Sequence, residues 1–219
     1  MLDRRSFLLE STIPTRTPLV PEIVLYLATE LNPLWHRTER ELEAAGVPPP
    51  YWAFAWAGGQ ALARHLLDEP SIVRGRAVLD LGAGSGLVAI AAALAGARHV
   101  LAADIDPFAA EAIALNSEVN GVVIEITTAD LLGTDPAVDV ILVGDLCYER
   151  PVADRLVPWL TARASRGTQV LLGDPGRSYL PPGLRRAAVY NVPTTQEIED
   201  QPVRETAVYA LDPGPLSRS

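Results

Sequence analysis

The stretch that most constrains the fold runs from Val78 to Leu87 and reads V-L-D-L-G-A-G-S-G-L. Its first half is typical of a buried strand, and its second half has glycine at every other position. Glycine adopts backbone angles that a Cβ forbids and lets a ligand approach the main chain closely. Because the apolar helical pattern V-A-I-A-A-A-L-A follows at once, the stretch predicts the strand-to-helix turn of a βαβ unit, where α/β sheets bind ligands.

Strands and helices alternate along most of the chain, which predicts a Rossmann-like, mostly parallel sheet of seven strands with helices on both faces. No convincing helix separates the last two strands, so they are predicted to be antiparallel to each other, which gives an antiparallel C-terminal strand. Strands are predicted over residues 77–81, 99–103, 123–127, 138–143, 168–172, 187–192 and 203–211, and helices over 60–67, 86–95, 107–120 and 152–165.

The residues before the sheet are predicted to form an N-terminal helical extension. Residues 1–21 contain three prolines and no sustained period, so an extended arm is expected there. Short helices are expected over residues 22–31 and 38–45, the second with Thr38 as a possible N-cap. The predicted organisation is an arm with short helices (1–50), an α/β domain (51–212) and a tail (213–219).

Composition limits the possible partners and locations. The chain has 219 residues and a formal net charge of −9, which argues against nucleic-acid binding, since that usually needs a basic patch. A single cysteine fits a reducing compartment, and no apolar run is long enough to cross a bilayer, so a cytoplasmic location without membrane contact is expected. All 18 basic residues are arginine, so chemistry that needs a lysine must find it on another molecule.

The spacing of the glycines separates two classes of ligand. Dinucleotide sites use G-x-G-x-x-G, but here Leu87 stands where that pattern has its last glycine. The sequence D-L-G-A-G-S-G instead resembles motif I of the class I S-adenosylmethionine-dependent methyltransferases. Asp80 could receive the ammonium of that cofactor, and the loop amides with the helix dipole could receive its carboxylate; a tight turn without a ligand is the alternative. The loop residues assigned to the cofactor are Gly82, Ala83, Gly84 and Gly86.

Acidic residues follow the next two strands. Asp104, with its neighbour Ile105, closes the second strand at a position from which a carboxylate can accept both ribose hydroxyls. The alternative for Asp104 is a helix N-cap, for which Asp106 before a proline is the better candidate. Asp130, with its neighbour Leu131, is placed to accept the adenine amino group, and the alternative is an ordinary loop acid.

The turn D-L-C-Y after the fourth strand is the predicted catalytic element. Asp-x-x-Tyr at this position resembles the motif of family 16 of the seven-β-strand protein methyltransferases, and it assigns Asp145 to the substrate or cofactor pocket and Tyr148 to the wall of the channel. A plain strand-end turn is the alternative. A nucleophilic role for Cys147 is disfavoured because no histidine is paired with it in sequence. The three histidines share no ligand spacing, so no metal site is predicted.

An aromatic segment, Y-W-A-F-A-W, precedes the first helix of the domain. Such aromatics usually pack beneath a helix, but family 16 enzymes carry a tryptophan segment here that covers the cofactor. Trp56 is therefore assigned to the cofactor site, and two interpretations stay open for it, a lid over the cofactor or a core residue. Trp52 is expected in the core or in contact with substrate. An indole face near a cation is favoured by about 0.5–2 kcal/mol.

Segments outside the glycine loop resemble the electron transfer flavoprotein β-subunit lysine methyltransferase family. The segments are P-L-V-P-E-I, P-Y-W-A-F-A-W-A-G-G-Q-A-L-A-R, G-D-L-C-Y-E, G-D-P-G-R and V-P-T-T-Q-E-I-E-D. A departure is A-G-G at residues 57–59, where relatives have P-G-G. The resemblance implies a protein-lysine N-methyltransferase that uses S-adenosylmethionine and acts on the flavoprotein β subunit.

Three other functions stay open at this point. The same fold serves methyltransferases for small molecules and for ribosomal proteins, and a non-catalytic cofactor-binding module would carry the same loop. In the favoured reaction a neutral lysine amine attacks the sulfonium methyl in line. Asp145 would attract the ammonium form and then orient the amine after its proton has left for water.

Overall fold

The architecture is that of a computed structural model, which describes residues 3–28, 49–194 and 202–212. The predicted helix over residues 38–45, the segment 195–200 and the tail lie outside the described residues.

A sheet of seven strands organises the molecule, as predicted. Its strands are β3 Ala77–Leu81, β4 His99–Ala103, β5 Glu125–Thr127, β6 Val140–Gly144, β7 Gln169–Asp174, β8 Arg185–Pro193 and β9 Val203–Ala210. They lie in the order β5-β4-β3-β6-β7-β9-β8. The first five are parallel, β9 is antiparallel to both of its neighbours, and the order reverses at β3, the point at which open α/β sheets bind ligands.

Helices cover both faces of the sheet because alternate strand residues point to opposite sides. On one face Val78 and Leu142 pack in a cluster with helices α2 and α3. On the other face Leu79 and Ile141 pack with Leu156 of helix α5. The bounds are α2 Ala57–Asp68, α3 Leu87–Leu94, α4 Pro107–Val119 and α5 Arg150–Ser165. Helix α2 begins before the predicted residue 60, so both glycines of the A-G-G segment lie inside it.

The described N-terminal residues correct two predictions. Residues 1–21 are not an extended arm, since α1 forms over Arg4–Ser11 and β1 over Ile13–Thr15. Residues 22–28 do not form the first part of the helix predicted over 22–31, since β2, Leu25–Leu27, pairs antiparallel with β1; residues 29–31 lie outside the described residues. The run E-I-V-L-Y-L suits a strand as well as a helix, and pairing with a distant partner decides between them.

The N-terminal elements are held against α4. The side chain of Leu8 lies in one apolar cluster with Trp52 and Phe108, and Arg5 forms an ion pair with Glu118 at 2.6 Å. This region therefore packs beside the aromatic segment and the first βαβ units.

Candidate active site

Two adjoining cavities open at the carboxyl edge of the sheet. The larger has a volume of about 680 Å³, within the usual range for small-molecule sites, and its walls come from the glycine loop, the ends of β4 and β6, and the aromatic segment. The smaller has about 40 Å³ and lies between the glycine loop and the start of α2. The residues that line both are Trp56, Gly82, Gly84, Gly144 and Asp145.

The structure brings nearly all of the sequence-predicted site residues to these walls. Asp80 and Ala83 line the smaller cavity, and the larger is lined by Asp104, Ile105, Asp130, Leu131 and Tyr148. Gly86 is the exception, because it lines neither cavity. A Cβ at Gly86 would lie 3.3 Å from the side chain of Ile113, so this glycine serves close packing of the loop against α4.

The glycine loop has the backbone conformation that its sequence requires. Gly82, Gly84 and Gly86 have φ angles of 67°, 52° and 81°, which L side chains rarely adopt. The amide of Gly84 donates to Oδ2 of Asp104 at 2.9 Å, so the acid at the end of β4 also fixes the loop.

Asp80 is buried at the end of β3 and accepts a hydrogen bond from the amide of Ala89 at 2.9 Å. Burial raises the pKa of its carboxyl group from 3.8 to about 7. Ionisation of Asp80 therefore costs free energy, and a cationic group in the adjoining cavity would offset that cost.

Replacing Asp80 by asparagine is expected to stabilise the ligand-free protein at alkaline pH. Because the folded-state pKa of Asp80 is raised, its contribution to stability is complete below pH 3.8 and is lost as the pH rises through about 7. Asp80→Asn should therefore raise the free energy of unfolding at pH 8 by an amount of the order of 2–4 kcal/mol, with a smaller gain at pH 5. Thermal unfolding at both pH values measures this, and a melting temperature at pH 8 below that of the wild type would contradict it.

Asp104 and Asp106 have different roles, since Asp106 caps helix α4 and Asp104 fixes the glycine loop beside the cavity. Asp106 is the N-cap of α4 and accepts from the amide of Phe108 at 2.8 Å. Asp104 accepts one amide hydrogen bond on each oxygen, from Gly84 and from Asp106 at 3.0 Å, and burial raises its pKa. Each oxygen keeps a second lone pair, so the carboxylate can still accept hydroxyl groups from the cavity.

Asp130 lies at the exposed rim of the larger cavity. It accepts from the amide of Leu132 at 3.0 Å and forms an ion pair with Arg155 at 2.6 Å. The hydrogen bond from Arg155 holds the pKa of this carboxyl group below its usual value. Asp130 is therefore ionised and its position is fixed by Arg155, which also lines the cavity.

Asp145 is the most constrained acid of the site. Among the described residues it is the only non-glycine with a positive φ, 55°, a conformation that costs of the order of 1–3 kcal/mol. Its Oδ2 accepts from the amide of Gly59 at 2.8 Å, and its Oδ1 accepts from Nη2 of Arg177 at 2.8 Å. Burial raises its pKa to about 6 in spite of the neighbouring guanidinium, so it is ionised at neutral pH.

Arg177 is a site residue that the sequence did not assign. Its guanidinium lies 5.7 Å from the centre of the Trp56 ring and pairs with Asp145. The turn after β7 places it there, because Oδ1 of Asp174 accepts the amides of Gly176 and Arg177 at 2.7 and 2.6 Å. The available signal was the segment G-D-P-G-R, in which an acid at a strand end precedes a tight turn and an arginine.

Aromatic side chains form one wall of the larger cavity. The ring of Tyr51 lies 5.6 Å from that of Tyr148 and 6.1 Å from that of Trp56, whose Nε1 donates to the carbonyl of Tyr51 at 2.9 Å. Trp56 is partly buried and lines both cavities, whereas Trp52 is 1% exposed and stacks on Phe108, mainly as a core residue.

The pKa values of Tyr148, in this wall, and of Cys147, which lines neither cavity, argue against a tyrosinate base and a thiolate nucleophile. Burial raises the pKa of the Tyr148 hydroxyl to about 12, so the phenol stays neutral. Burial and the neighbouring acids also raise the pKa of the Cys147 thiol to about 12, so Cys147 is no nucleophile near neutral pH.

A contact between glycines brings α2 onto the sheet edge, and the sequence analysis missed it. A Cβ at Gly58 would lie 2.1 Å from the carbonyl oxygen of Gly173 and 2.6 Å from Oδ2 of Asp145. A Cβ at Gly144 would lie 3.2 Å from Cα of Gly59. This close approach allows the amide of Gly59 to reach Asp145.

Known proteins resemble this chain in sequence and in fold. The family model for ribosomal protein L11 methyltransferase (PrmA) matches residues 61–167. Ribosomal protein L11 methylase from Lactobacillus delbrueckii subsp. bulgaricus is 25% identical with a TM-score of 0.51, over 70% of this chain and 77% of that one. Magnesium protoporphyrin IX methyltransferase from Synechocystis PCC 6803 with bound SAM shares the fold at 18% identity and a TM-score of 0.50, over 69% of this chain and 77% of that one.

The similarity that decides the family runs along nearly the whole chain. Electron transfer flavoprotein beta subunit lysine methyltransferase from Xenopus laevis is 43% identical over 217 residues, which are 95% of this chain and 87% of the relative. The chain belongs to the electron transfer flavoprotein β-subunit lysine methyltransferase family. Membership of this family confirms the predicted methyltransferase and its fold, while the roles of individual site residues stay predictions.

The part of the chain that the structure describes contains neither a candidate metal centre nor a membrane-spanning helix. No group of three or more histidine, cysteine, aspartate or glutamate side chains in residues 3–28, 49–194 and 202–212 could hold a metal ion. Within the same residues no helix has the length and apolarity to span a bilayer.

Proposed function

We propose that this member of the family is an S-adenosylmethionine-dependent protein-lysine N-methyltransferase that acts on the electron transfer flavoprotein β subunit. The observation that carries the proposal is the buried carboxylate of Asp145 in the wall common to both cavities, in a chain 43% identical to the Xenopus laevis relative. A negative charge at that point suits a cationic lysine entering from the larger cavity.

The two cavities suit the parts of S-adenosylmethionine. Asp80 and the loop residues around the smaller cavity would hold its amino-acid group, Asp104 would accept from the ribose hydroxyls, and Asp130 at the rim would accept from the adenine amino group. When bound, this cofactor supplies an electrophilic methyl group on a sulfonium.

Asp145 and the aromatic residues beside it hold the acceptor lysine. A lysine side chain has a pKa near about 10.4 and must lose a proton before its amine can attack. Asp145, held by Gly59 and Arg177, attracts the ammonium and orients the amine after deprotonation. Tyr51, Tyr148 and Trp56 form an apolar wall that excludes water and accepts the methylene stem. Most of the rate acceleration comes from alignment of the amine with the methyl group rather than from protonation of a leaving group.

The pH dependence of kcat/KM should show two ionisations, that of the acceptor lysine and that of Asp145. Between pH 7 and 9 kcat/KM should rise about tenfold per unit, because one proton leaves the lysine. Below about pH 6 Asp145 also becomes protonated, because its folded-state pKa is about 6, and the loss should steepen to about a hundredfold per unit. A slope that stays at about tenfold per unit from pH 9 down to pH 5 would contradict the role of Asp145.

A labelled-methyl assay tests the proposed function against its alternatives. The purified chain and labelled S-adenosylmethionine are incubated in three separate reactions, one with the flavoprotein β subunit, one with ribosomal protein L11 and one with a metabolite extract. Transfer is expected with the flavoprotein subunit, and transfer with only one of the other acceptors would overturn the proposal. The chain has no lysine, so labelling of its own lysines cannot contribute a background.

Three predictions from the sequence are carried forward as part of the proposal. They are the absence of nucleic-acid binding, a cytoplasmic location and the domain boundaries at residues 50 and 212.

A further inference from the structure

Asn116 joins the N-terminal hairpin to the glycine loop. This side chain lies on α4 and is fully buried. Its Oδ1 accepts from the amide of Tyr26 in β2 at 2.7 Å, and its Nδ2 donates to the carbonyl of Ser85 at 2.8 Å. Ser85 belongs to the glycine loop and lines the smaller cavity. One amide group therefore touches two elements that lie about 60 residues apart in sequence.

We propose that Asn116 is a positioning residue for the methyl-donor loop and that it couples the β1–β2 hairpin to donor binding. The inference rests on the proposed function in taking S-adenosylmethionine as the donor. It adds a residue and an element, the N-terminal hairpin, that do not themselves line either cavity.

The loop needs such support because its own residues supply little. Three of its five residues are glycines, which by themselves leave many backbone conformations open. Asp104 fixes the amide of Gly84, and Ile113 packs against Gly86. The bond from Asn116 fixes the carbonyl of Ser85, which lies between those two points. The amide of Gly86 in the same peptide group donates to the carbonyl of Ala83 at 2.8 Å, so this peptide is held by one bond from inside the loop and one from outside it.

The chemistry of the side chain fits this task. A primary amide presents one acceptor and two donors on a single plane, so it can accept from a strand amide and donate to a loop carbonyl at once. A carboxylate at the same place would turn an oxygen toward the carbonyl of Ser85, and an aliphatic residue would leave two buried backbone groups without partners.

Asn120, one turn further along the chain, offers a matched control. Its Oδ1 accepts from the amide of Val24 at 3.0 Å, and its Nδ2 donates to the carbonyl of Val24 at 2.6 Å. Asn120 therefore holds the same hairpin through two bonds. Among the described hydrogen bonds of its side chain, none goes to the glycine loop.

Calorimetric titration of Asn116→Ala and Asn120→Ala with S-adenosylmethionine tests the proposal. Both variants should have lower melting temperatures than the wild type. Only Asn116→Ala should raise the Kd for the donor, at least fivefold, and in turnover its KM for the donor should rise while kcat at saturation stays within threefold. A Kd within twofold of the wild type, or an equal loss in Asn120→Ala, would overturn the proposal. Failure of the wild type itself to bind the donor would count against the proposed function instead.

A measurement on the wild type covers the case in which Asn116→Ala does not fold. Coupling between two sites is reciprocal, so donor binding must stabilise the hairpin through Asn116. Hydrogen exchange followed by NMR should show that S-adenosylmethionine slows the amide of Tyr26 at least threefold more than the amide of Val24. Equal slowing of the two amides, or none, would contradict the coupling.

Discussion

Asp145→Asn is expected to lower kcat/KM for the protein acceptor by about a hundredfold or more, a size typical of lost electrostatic stabilisation and orientation in an active site. The substitution keeps the size of the side chain and an acceptor for the amide of Gly59, but it removes the negative charge that attracts the lysine in the proposed mechanism. It also leaves Arg177 beside a neutral partner, so the local charge becomes positive where a cation has to enter.

A comparison with an acid outside the cavities makes this result specific. Asp154 lies on α5, is largely exposed and pairs with Arg150 at 3.8 Å, so Asp154→Asn should leave kcat/KM within twofold of the wild type. Steady-state turnover of both variants, with S-adenosylmethionine saturating, gives the ratio. If Asp145→Asn kept more than a third of the wild-type kcat/KM, Asp145 would have no part in handling the acceptor.

Gly58→Ala is expected to destabilise the protein by about 2–4 kcal/mol, in the range of an overpacked core that cannot relax. The added Cβ would lie 2.1 Å from the carbonyl oxygen of Gly173 and 2.6 Å from Oδ2 of Asp145. The first obstacle is backbone at the end of β7, so α2 would have to move away from the sheet. Such a movement would also weaken the hydrogen bond from Gly59 to Asp145, and we expect turnover to fall more than stability alone explains.

The adjacent glycine supplies the control for this variant. A Cβ at Gly59 would meet Val88 at 3.9 Å, an ordinary contact, and alanine is favoured over glycine inside a helix by up to about 1 kcal/mol. Gly59→Ala should therefore melt at or above the wild-type temperature. Thermal unfolding of the two variants side by side measures this difference, and equal melting temperatures would show that α2 meets the sheet edge differently from the structure.

The parallel sheet and the acids at its edge could be predicted from the sequence because their signals are local. Each central strand is a short apolar run that ends at a glycine or an acid, and parallel strands bring their carboxyl ends to one edge. Asp104 and Asp145 were therefore predicted at this edge, and both line the larger cavity, although their hydrogen bonds with Gly84 and Gly59 had no sequence signal.

What the sequence did not reveal depends on contacts between distant segments. The strand Leu25–Leu27 owes its conformation to pairing with Ile13–Thr15 and to the amides of Asn116 and Asn120, which lie about 90 residues away. Arg177 reaches Asp145 only because β7 lies beside β6. The need for glycine at position 58 arises where a helix crosses the sheet edge, and no local pattern encodes that crossing.

Mass mapping of the methylated product tests the central claim most directly. The flavoprotein β subunit is incubated with S-adenosylmethionine and either the wild-type chain or Asp145→Asn, and its peptides are sequenced by tandem mass spectrometry. The structure predicts methyl groups on lysine side chains with the wild type, and far fewer at the same time point with Asp145→Asn. Methyl groups on arginine or on the N-terminal amine alone, or equal lysine methylation by both proteins, would contradict the account.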